Sequence, residues 1–213
     1  MVSDKTKQLL AEHSYYSSFE GLVHEIFKEY PQYKNINKCL ETGTYLGWSA
    51  RQFSSIFNEV HTIEINEAFV EEAKKHLENV ENIFFHLGDS VEVLSQLLQK
   101  LAYPMFFYLD AHSTNYNLDN KLLNTPLLEE LEIINKYHPY NDIILIDDMD
   151  LFGKNLYYKG DWEEEKNYAD WTNINVDSIL NVFDKKNILH SKPISYYKGI
   201  NPPHQYLILL DRG

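Results

Sequence analysis

Three aspartates and a histidine have the types and spacing to do chemistry. Asp110 closes the apolar run Phe106-Phe-Tyr-Leu, with His112 two residues later, and Asp147 and Asp148 close Ile143-Ile-Leu-Ile. Both runs read as buried parallel strands. Adjacent strands lie about 5 Å apart, so the acids are expected at one rim. Clustered carboxylates repel one another and require a counter-charge, which a hard divalent cation with oxygen ligands, Mg²⁺ or Mn²⁺, supplies. Such an ion can hold two vicinal hydroxyls of a small substrate and lower the pKa of one. His112 titrates near neutrality and can take that proton. Two other readings stay open. The acids can be helix caps on a polar loop, and Asp148-Met-Asp150 can be the metal-binding pair of a nucleotide-sugar glycosyltransferase.

A second constellation lies upstream. Glu41-Thr-Gly-Thr-Tyr-Leu-Gly47-Trp-Ser49 stands between an apolar run and a helical segment. Gly43 permits a tight turn, Gly47 a close helix-to-strand approach, and the following helix points its unpaired N–H groups at a ligand. Two further apolar runs end in acids, Val60-His-Thr-Ile-Glu64 and Ile83-Phe-Phe-His-Leu-Gly88-Asp89-Ser90. Ligands of open α/β sheets bind outside the carboxyl ends of the strands. Glu64, about twenty residues after the turn, is placed to accept from a ribose diol, and Asp89 lies one strand further out, where an adenine amino group would sit. A nicotinamide dinucleotide would favour G-x-G-x-x-G, which is not present at this turn.

The turn and its acids resemble the class I S-adenosylmethionine-dependent methyltransferases, over about residues 36–213. Glu41-Thr-Gly-Thr-Tyr-Leu-Gly47 is similar to that family's first motif in its E-x-G-x-x-x-G form, typical of small-molecule O-methyltransferases. The resemblance implies S-adenosylmethionine as cofactor. It implies Thr42, Gly43 and Ser49 at the methionine end, Glu64 on the ribose, and Gly88, Asp89 and Ser90 at the adenine, with Glu41, Thr44 and Asp110 completing the set. In the catechol and caffeoyl-thioester branch, a Lys follows the first metal Asp by three residues and strand five ends in Asp-Asn. Here those positions are Ser113 and Asp147-Asp148. The branch that methylates sugar hydroxyls of macrolide and aminocoumarin antibiotics ends strand five in an acidic pair, and a His or Asp base closely follows its first metal acid. This chain resembles the second branch. That implies Asp110, Asp147 and Asp148 as metal ligands and Asp110 and His112 as catalytic residues, acting on a vicinal diol that is most simply a sugar or glycan. Asn201-Pro-Pro-His204 is superficially similar to the motif of amine-methylating relatives, but it falls just before the last strand and reads as a hairpin turn. A methyltransferase-like binding module without turnover is a further alternative.

Alternating segments must position these residues. Strands are expected at 36–42, 59–65, 82–87, 105–111 and 142–147, and helices at 48–57, 67–79, 90–101 and 125–137. An amphipathic helix within 14–33, lying across the sheet or over the cofactor pocket, precedes them. A polar, aromatic stretch (148–171), a helix at 176–183 and strands at 187–197 and 205–210 follow. This is the pattern of an α/β, Rossmann-like, doubly wound and mostly parallel seven-stranded sheet, with an antiparallel last strand and helices on both faces. One domain over 1–213 is expected: a helical segment (1–35), a cofactor-binding core (36–148), a substrate lid (149–175), and a closing helix and strands (176–213). Tyr157, Tyr158, Trp162, Tyr168 and Trp171 suit the faces and hydroxyl rims of sugars, or equally pack a lid or a dimer contact.

Composition narrows the partners. At 213 residues and 44% apolar content the chain can bury a full core. No run approaches ~20 apolar residues, so no membrane partner is expected, and the start of the chain shows no signal-peptide core, which makes the cytoplasm the expected location. Cys39, the single cysteine, excludes a disulfide within the chain and reads as core packing. The 19 Lys and Arg against 32 acids give a formal charge of −13, with the positive residues dispersed, so a nucleic acid would be repelled. The expected partner is a small molecule, with a homo-oligomer open.

Overall fold

The structure, a computed structural model, describes residues 19–112, 125–159, 166–194 and 204–213. Its strands are β1 (Lys38–Thr42), β2 (Glu59–Glu64), β3 (Ile83–Leu87), β4 (Phe106–Leu109), β5 (Ile143–Ile146), β6 (Asn155–Lys159), β7 (Lys166–Asp170), β8 (Ile188–Ile194) and β9 (Gln205–Leu210). Its helices are α1 (Phe19–Glu29), α2 (Trp48–Ile56), α3 (Glu67–His76), α4 (Ser90–Leu97), α5 (Leu127–Tyr137) and α6 (Val176–Leu180). Seven strands form one sheet in the order β3-β2-β1-β4-β5-β9-β8. Strands β1 to β5 pair in parallel, and β9 runs antiparallel to both β5 and β8. This is the expected doubly wound sheet with its reversed last strand.

Strands β4 and β5, Phe-Phe-Tyr-Leu and Ile-Ile-Leu-Ile, are apolar throughout because both their faces are covered. Alternation along β1 sends Leu40 to a cluster with Leu94 of α4, Leu131 and Ile134 of α5 and Ile179 of α6. It sends Cys39 to the opposite face, against Phe19, Leu22, Val23 and Ile26 of α1 and Ala50 and Phe53 of α2. Helix α1 therefore packs on the sheet, with Phe19 stacked edge-on against Tyr108 at 5.0 Å. Cys39 is buried in this cluster, as its position in a strand suggested.

The stretch expected as polar and aromatic, with no strand assigned to it, holds two strands. β6 and β7 pair antiparallel, with Tyr157 opposite Tyr168 and Asn155 opposite Asp170. Strict apolar/polar alternation is missing from these strands, which is why the period-two signal did not reveal them. The expected helix start at 14–18, Trp162, Ser113 and the Asn201-Pro-Pro portion of the turn before β9 lie outside the described residues. Among the described residues, no helix is long and apolar enough to cross a membrane.

Candidate active site

The glycine turn is built against two neighbours. Gly43 has φ +87°, and a Cβ there would lie 2.4 Å from the backbone oxygen of Asp110, so the turn rests directly on the end of β4. Gly47 has φ +81°, and its Cβ would lie 2.6 Å from Leu77 Cδ1 and 3.3 Å from Ala73 Cβ. The close approach that Gly47 permits is thus to helix α3 and the residue after it, not to a strand as the sequence suggested. Between the glycines, Tyr45 takes a positive φ of 47°. Its N–H donates to Glu64 Oε2 at 2.9 Å, and the Asn66 N–H donates to Oε1 at 2.9 Å. Glu64 at the end of β2 is therefore buried and held by two backbone donors, and each oxygen keeps a lone pair for a ligand.

Glu41 lies beneath this turn, fully buried. Thr62 Oγ1 donates to its Oε2 at 2.7 Å and lies 2.5 Å from Thr44 Oγ1, which links the turn to the acid. Burial pushes the Glu41 carboxyl up to about 8, against the Ser49 and Thr62 hydroxyls, which favour the ionised form. Its Oε1 is buried with no hydrogen-bond partner of regular geometry. Gly88 N–H donates to Glu64 O at 2.8 Å and so ties the third strand end to the second. Asp89 caps α4, accepting from Val91 N at 2.9 Å and Glu92 N at 3.4 Å through Oδ1. The capping role is therefore real, and Oδ2 is the oxygen not used in it. Ser90, the next residue, is buried at the start of α4.

At the neighbouring rim the structure brings Asp110, His112 and Asp148 together, with one ligand atom from each lying within 4.8 Å of the others. His112 Nδ1 is 3.3 Å from Asp110 Oδ1 and 3.1 Å from Asp148 Oδ2. Burial works against the charged imidazole, but the Asp110 carboxylate that accepts from it and the charges of Asp148 and Asp147 outweigh it and raise its pKa. Asp110 is raised by burial first and then by Asp147, so this acid–imidazole cluster holds on to protons. Asp148 has φ 53°, a left-handed conformation tolerated by aspartate and a form of strain that collects at functional sites.

Asp147 is oriented differently. Its Oδ2 accepts a short bond from the Tyr108 hydroxyl, and its Oδ1 accepts from Gln205 Nε2 at 2.6 Å. Tyr108 also reaches Asp110 Oδ2 at 3.4 Å, so Asp147 is connected to the cluster through a phenol. Asp150 pairs with His204, Oδ1 to Nδ1 at 3.1 Å, and so has a partner other than Asp148. Trp171, the buried aromatic after β7, lies 6.1 Å from His112 between ring centroids and stacks on Phe152 at 6.0 Å.

Tyr108, Gln205 and Glu130 are site residues that the sequence reading did not select. Tyr108 sits two positions before Asp110, on the same face of the strand by alternation, a signal that was available. Gln205 opens a strand distant in sequence, and nothing local announced it. Glu130 was visible as an acid inside the apolar stripe Leu127, Leu131, Ile134 of α5.

No protein-family profile matches the chain, and no curated protein matches its sequence. Solved structures do match. The O-methyltransferase TomG from Streptomyces achromogenes, involved in tomaymycin synthesis and solved with S-adenosylmethionine, aligns over 90% of this chain and 78% of its own at 17% identity and a TM-score of 0.59. An O-methyltransferase from Bacillus cereus, in complex with S-adenosylhomocysteine, aligns over 87% and 79% at 15% identity and a TM-score of 0.56. A Staphylococcus aureus protein named as a caffeoyl-CoA O-methyltransferase aligns over 99% and 93% at 18% identity and a TM-score of 0.52. At these identities the likeness is one of architecture: the chain has the Rossmann-like fold of class I S-adenosylmethionine-dependent O-methyltransferases.

Proposed function

We propose that this protein is an S-adenosylmethionine-dependent O-methyltransferase, assisted by a divalent metal ion, that methylates one hydroxyl of a small vicinal diol, most simply a sugar. The observation that carries this reading is the adjacency of two built features on one rim. The Glu64-anchored glycine turn rests, through Gly43, on the backbone of Asp110, and Asp110 in turn faces His112 and Asp148.

The residues fit the cofactor. Glu41 Oε1 and Thr42 Oγ1 are buried acceptors without partners beside the turn, suited to the donor groups of an amino acid moiety, and Glu64 retains lone pairs for ribose hydroxyls. S-adenosylmethionine supplies the reactive methyl group, and the chain's part is to hold an acceptor oxygen in line with it. The donor set also fits a divalent ion. Asp110 and Asp148 offer the hard oxygens that Mg²⁺ or Mn²⁺ takes, with His112 beside them. A bound ion would supply the counter-charge to these acids and lower the pKa of a hydroxyl. Asp147, held by Tyr108 and Gln205, orients the cluster or joins it by rotation. His112 is the candidate base: two carboxylates fix its Nδ1 side and raise its pKa in the metal-free protein, and the charge of a bound ion beside it would bring that pKa down and free it to accept a proton.

The sugar acceptor rests on the acidic pair Asp147-Asp148 in place of Asp-Asn and on the aromatic content of the 149–175 segment, which we take as a substrate lid in a single domain. The glycosyltransferase alternative loses support because Asp150 is paired with His204. A cytoplasmic small-molecule enzyme is consistent with the charge. Transfer of a labelled methyl group to a panel of sugars and catechols, with Mn²⁺, Mg²⁺ or chelator, tests the reading. Labelled sugar in the presence of metal supports it. Labelled catechol alone moves the chain to the other acceptor class. No transfer, together with binding of a nucleotide diphosphate sugar, overturns it.

A further inference from the structure

Tyr108 of β4 is held by its ring as well as by its hydroxyl. The ring is 2% exposed and packs edge-to-face against Phe19 of α1, 5.0 Å away between centroids, and Phe53 of α2, 5.2 Å away. Close-packed aromatic neighbours fix a ring, and with it the position of the phenol oxygen. That oxygen lies between two carboxylates. It donates a short bond to Asp147 Oδ2 and lies 3.4 Å from Asp110 Oδ2.

The two acids differ in what their remaining oxygens do. With Oδ2 of Asp110 on the phenol, Oδ1 faces His112 Nδ1 at 3.3 Å, and Asp148 Oδ2 lies 3.1 Å from the same nitrogen. These three residues form the group that can share an ion, and Asp147 is not part of it. Both Asp147 oxygens accept from buried donors, Oδ2 from Tyr108 and Oδ1 from Gln205 Nε2 at 2.6 Å. Its backbone N–H donates to Leu109 O at 3.0 Å, so only the side chain could turn toward the group. Turning it would give up bonds made to a charged acceptor, which are stronger than ordinary ones.

We propose that Tyr108 is a positioning residue of the metal site, an inference that rests on the metal reading above. Its phenol keeps Asp110 Oδ1 turned to the ion and, together with Gln205, keeps Asp147 outside the ligand set. The acidic pair that ends β5 is thereby divided, with Asp148 a ligand and Asp147 an anchor for the phenol. Groups that orient ligands govern metal affinity nearly as strongly as the ligands themselves. A tyrosine that serves only as a core ring, its hydroxyl merely satisfied by a nearby acid, would leave metal affinity untouched.

The experiment is titration of the full chain with Mn²⁺, followed by its paramagnetic signal, alongside calorimetry with S-adenosylhomocysteine. Tyr108→Phe keeps the packed ring and removes only the hydroxyl. It should weaken Mn²⁺ by about tenfold or more, the range for losing a group that orients a ligand, with S-adenosylhomocysteine affinity unchanged. Asp147→Asn and Asp148→Asn separate anchor from ligand without changing side-chain shape. The amide oxygen at 147 still accepts from Tyr108, so Asp148→Asn should cost about tenfold more Mn²⁺ affinity than Asp147→Asn does. Wild-type Mn²⁺ affinity in a folded Tyr108→Phe overturns the proposal. So do equal losses in the two asparagine variants, which would make Asp147 a ligand, and these decide the matter if the phenylalanine protein does not fold. A folded wild type that binds no Mn²⁺ overturns the metal reading itself, and is thereby distinguished from failure of the Tyr108 role.

Discussion

The Tyr45 N–H and the Glu64 carboxylate, 2.9 Å apart, make the glycine turn and the end of β2 a single unit. Removing that carboxylate deletes the ribose acceptor and releases Tyr45 from the anchor that holds its left-handed backbone. Glu64→Ala should weaken S-adenosylhomocysteine binding by about 1.5 to 3 kcal/mol, the range for hydrogen bonds to a charged group, and should lower Tm. Glu64→Gln should keep much of Tm, because an amide oxygen still accepts from one backbone N–H. Calorimetry and thermal unfolding of both variants check this, and an unchanged affinity in a folded Glu64→Ala would remove Glu64 from the site.

Two glycines with positive φ provide a controlled comparison. At Gly153, φ +75°, a Cβ would meet nothing within 4 Å, whereas at Gly43 it would strike the Asp110 backbone. Gly153→Ala should therefore cost about 1 kcal/mol, the backbone term alone. Gly43→Ala should cost about 3 kcal/mol or more and abolish cofactor binding, because the steric clash adds to the strain. Equal denaturation midpoints for the two variants would contradict the close packing of turn on strand.

Buried acids set a pH dependence. Glu41 and Glu130 have folded pKa values of about 8 and about 7, raised by burial, so they hold protons that the unfolded chain has released above its ordinary carboxylate range. The folded state then binds more protons than the unfolded one, and stability declines as pH rises from about 4 to 8. His112 acts in the same sense: its raised pKa contributes stability that is complete below its unfolded value and is lost as pH rises through the folded one. Glu59, lowered to about 2 against burial by Lys38, Tyr103 and His61, acts below this window. The Tm of the metal- and cofactor-free protein should fall between pH 5 and pH 8, with a shallower slope in Glu41→Gln and Glu130→Gln. A Tm that rises over that interval would contradict the burial of these acids.

For the rim, His112→Ala should lower kcat by about 10² to 10⁴ with S-adenosylhomocysteine affinity unchanged, as expected of a general base. Titration with Mn²⁺, followed by its paramagnetic signal, separates base from ligand. Retained Mn²⁺ affinity is the expected result, whereas a loss of about tenfold or more would make His112 a metal ligand. Asp148→Asn should weaken Mn²⁺ in either case.

How much of this was legible in the chain follows from where each signal resides. The strand ends carrying Glu64, Asp110 and Asp147 could be read because parallel strands buried on both faces are written as continuous apolar runs. Helices α1 to α5 could be read from their amphipathic spacing, and the cap at Asp89 from its position. The orientation of Asp147 could not, because Tyr108 and Gln205 reach it from other strands, and Gln205 is 58 residues away. Gly47 was legible as a close approach, but its neighbour was not, since Ala73 and Leu77 come from the turn of α3 against it. The β6–β7 pair escaped because its residues do not alternate, and Glu130 because an acid in an apolar stripe looks like noise until its burial is seen.

The central claim is that the turn at Gly43 and the acid at Glu64 form an S-adenosylmethionine site. Calorimetry of the wild-type chain with S-adenosylhomocysteine tests it most directly. One molecule bound per chain, with micromolar or tighter affinity corresponding to about 8 kcal/mol or more, and a clear loss in Glu64→Ala is the predicted result. No heat of binding from a folded wild-type protein at any concentration up to about 1 mM, a limit of about 4 kcal/mol, would contradict it.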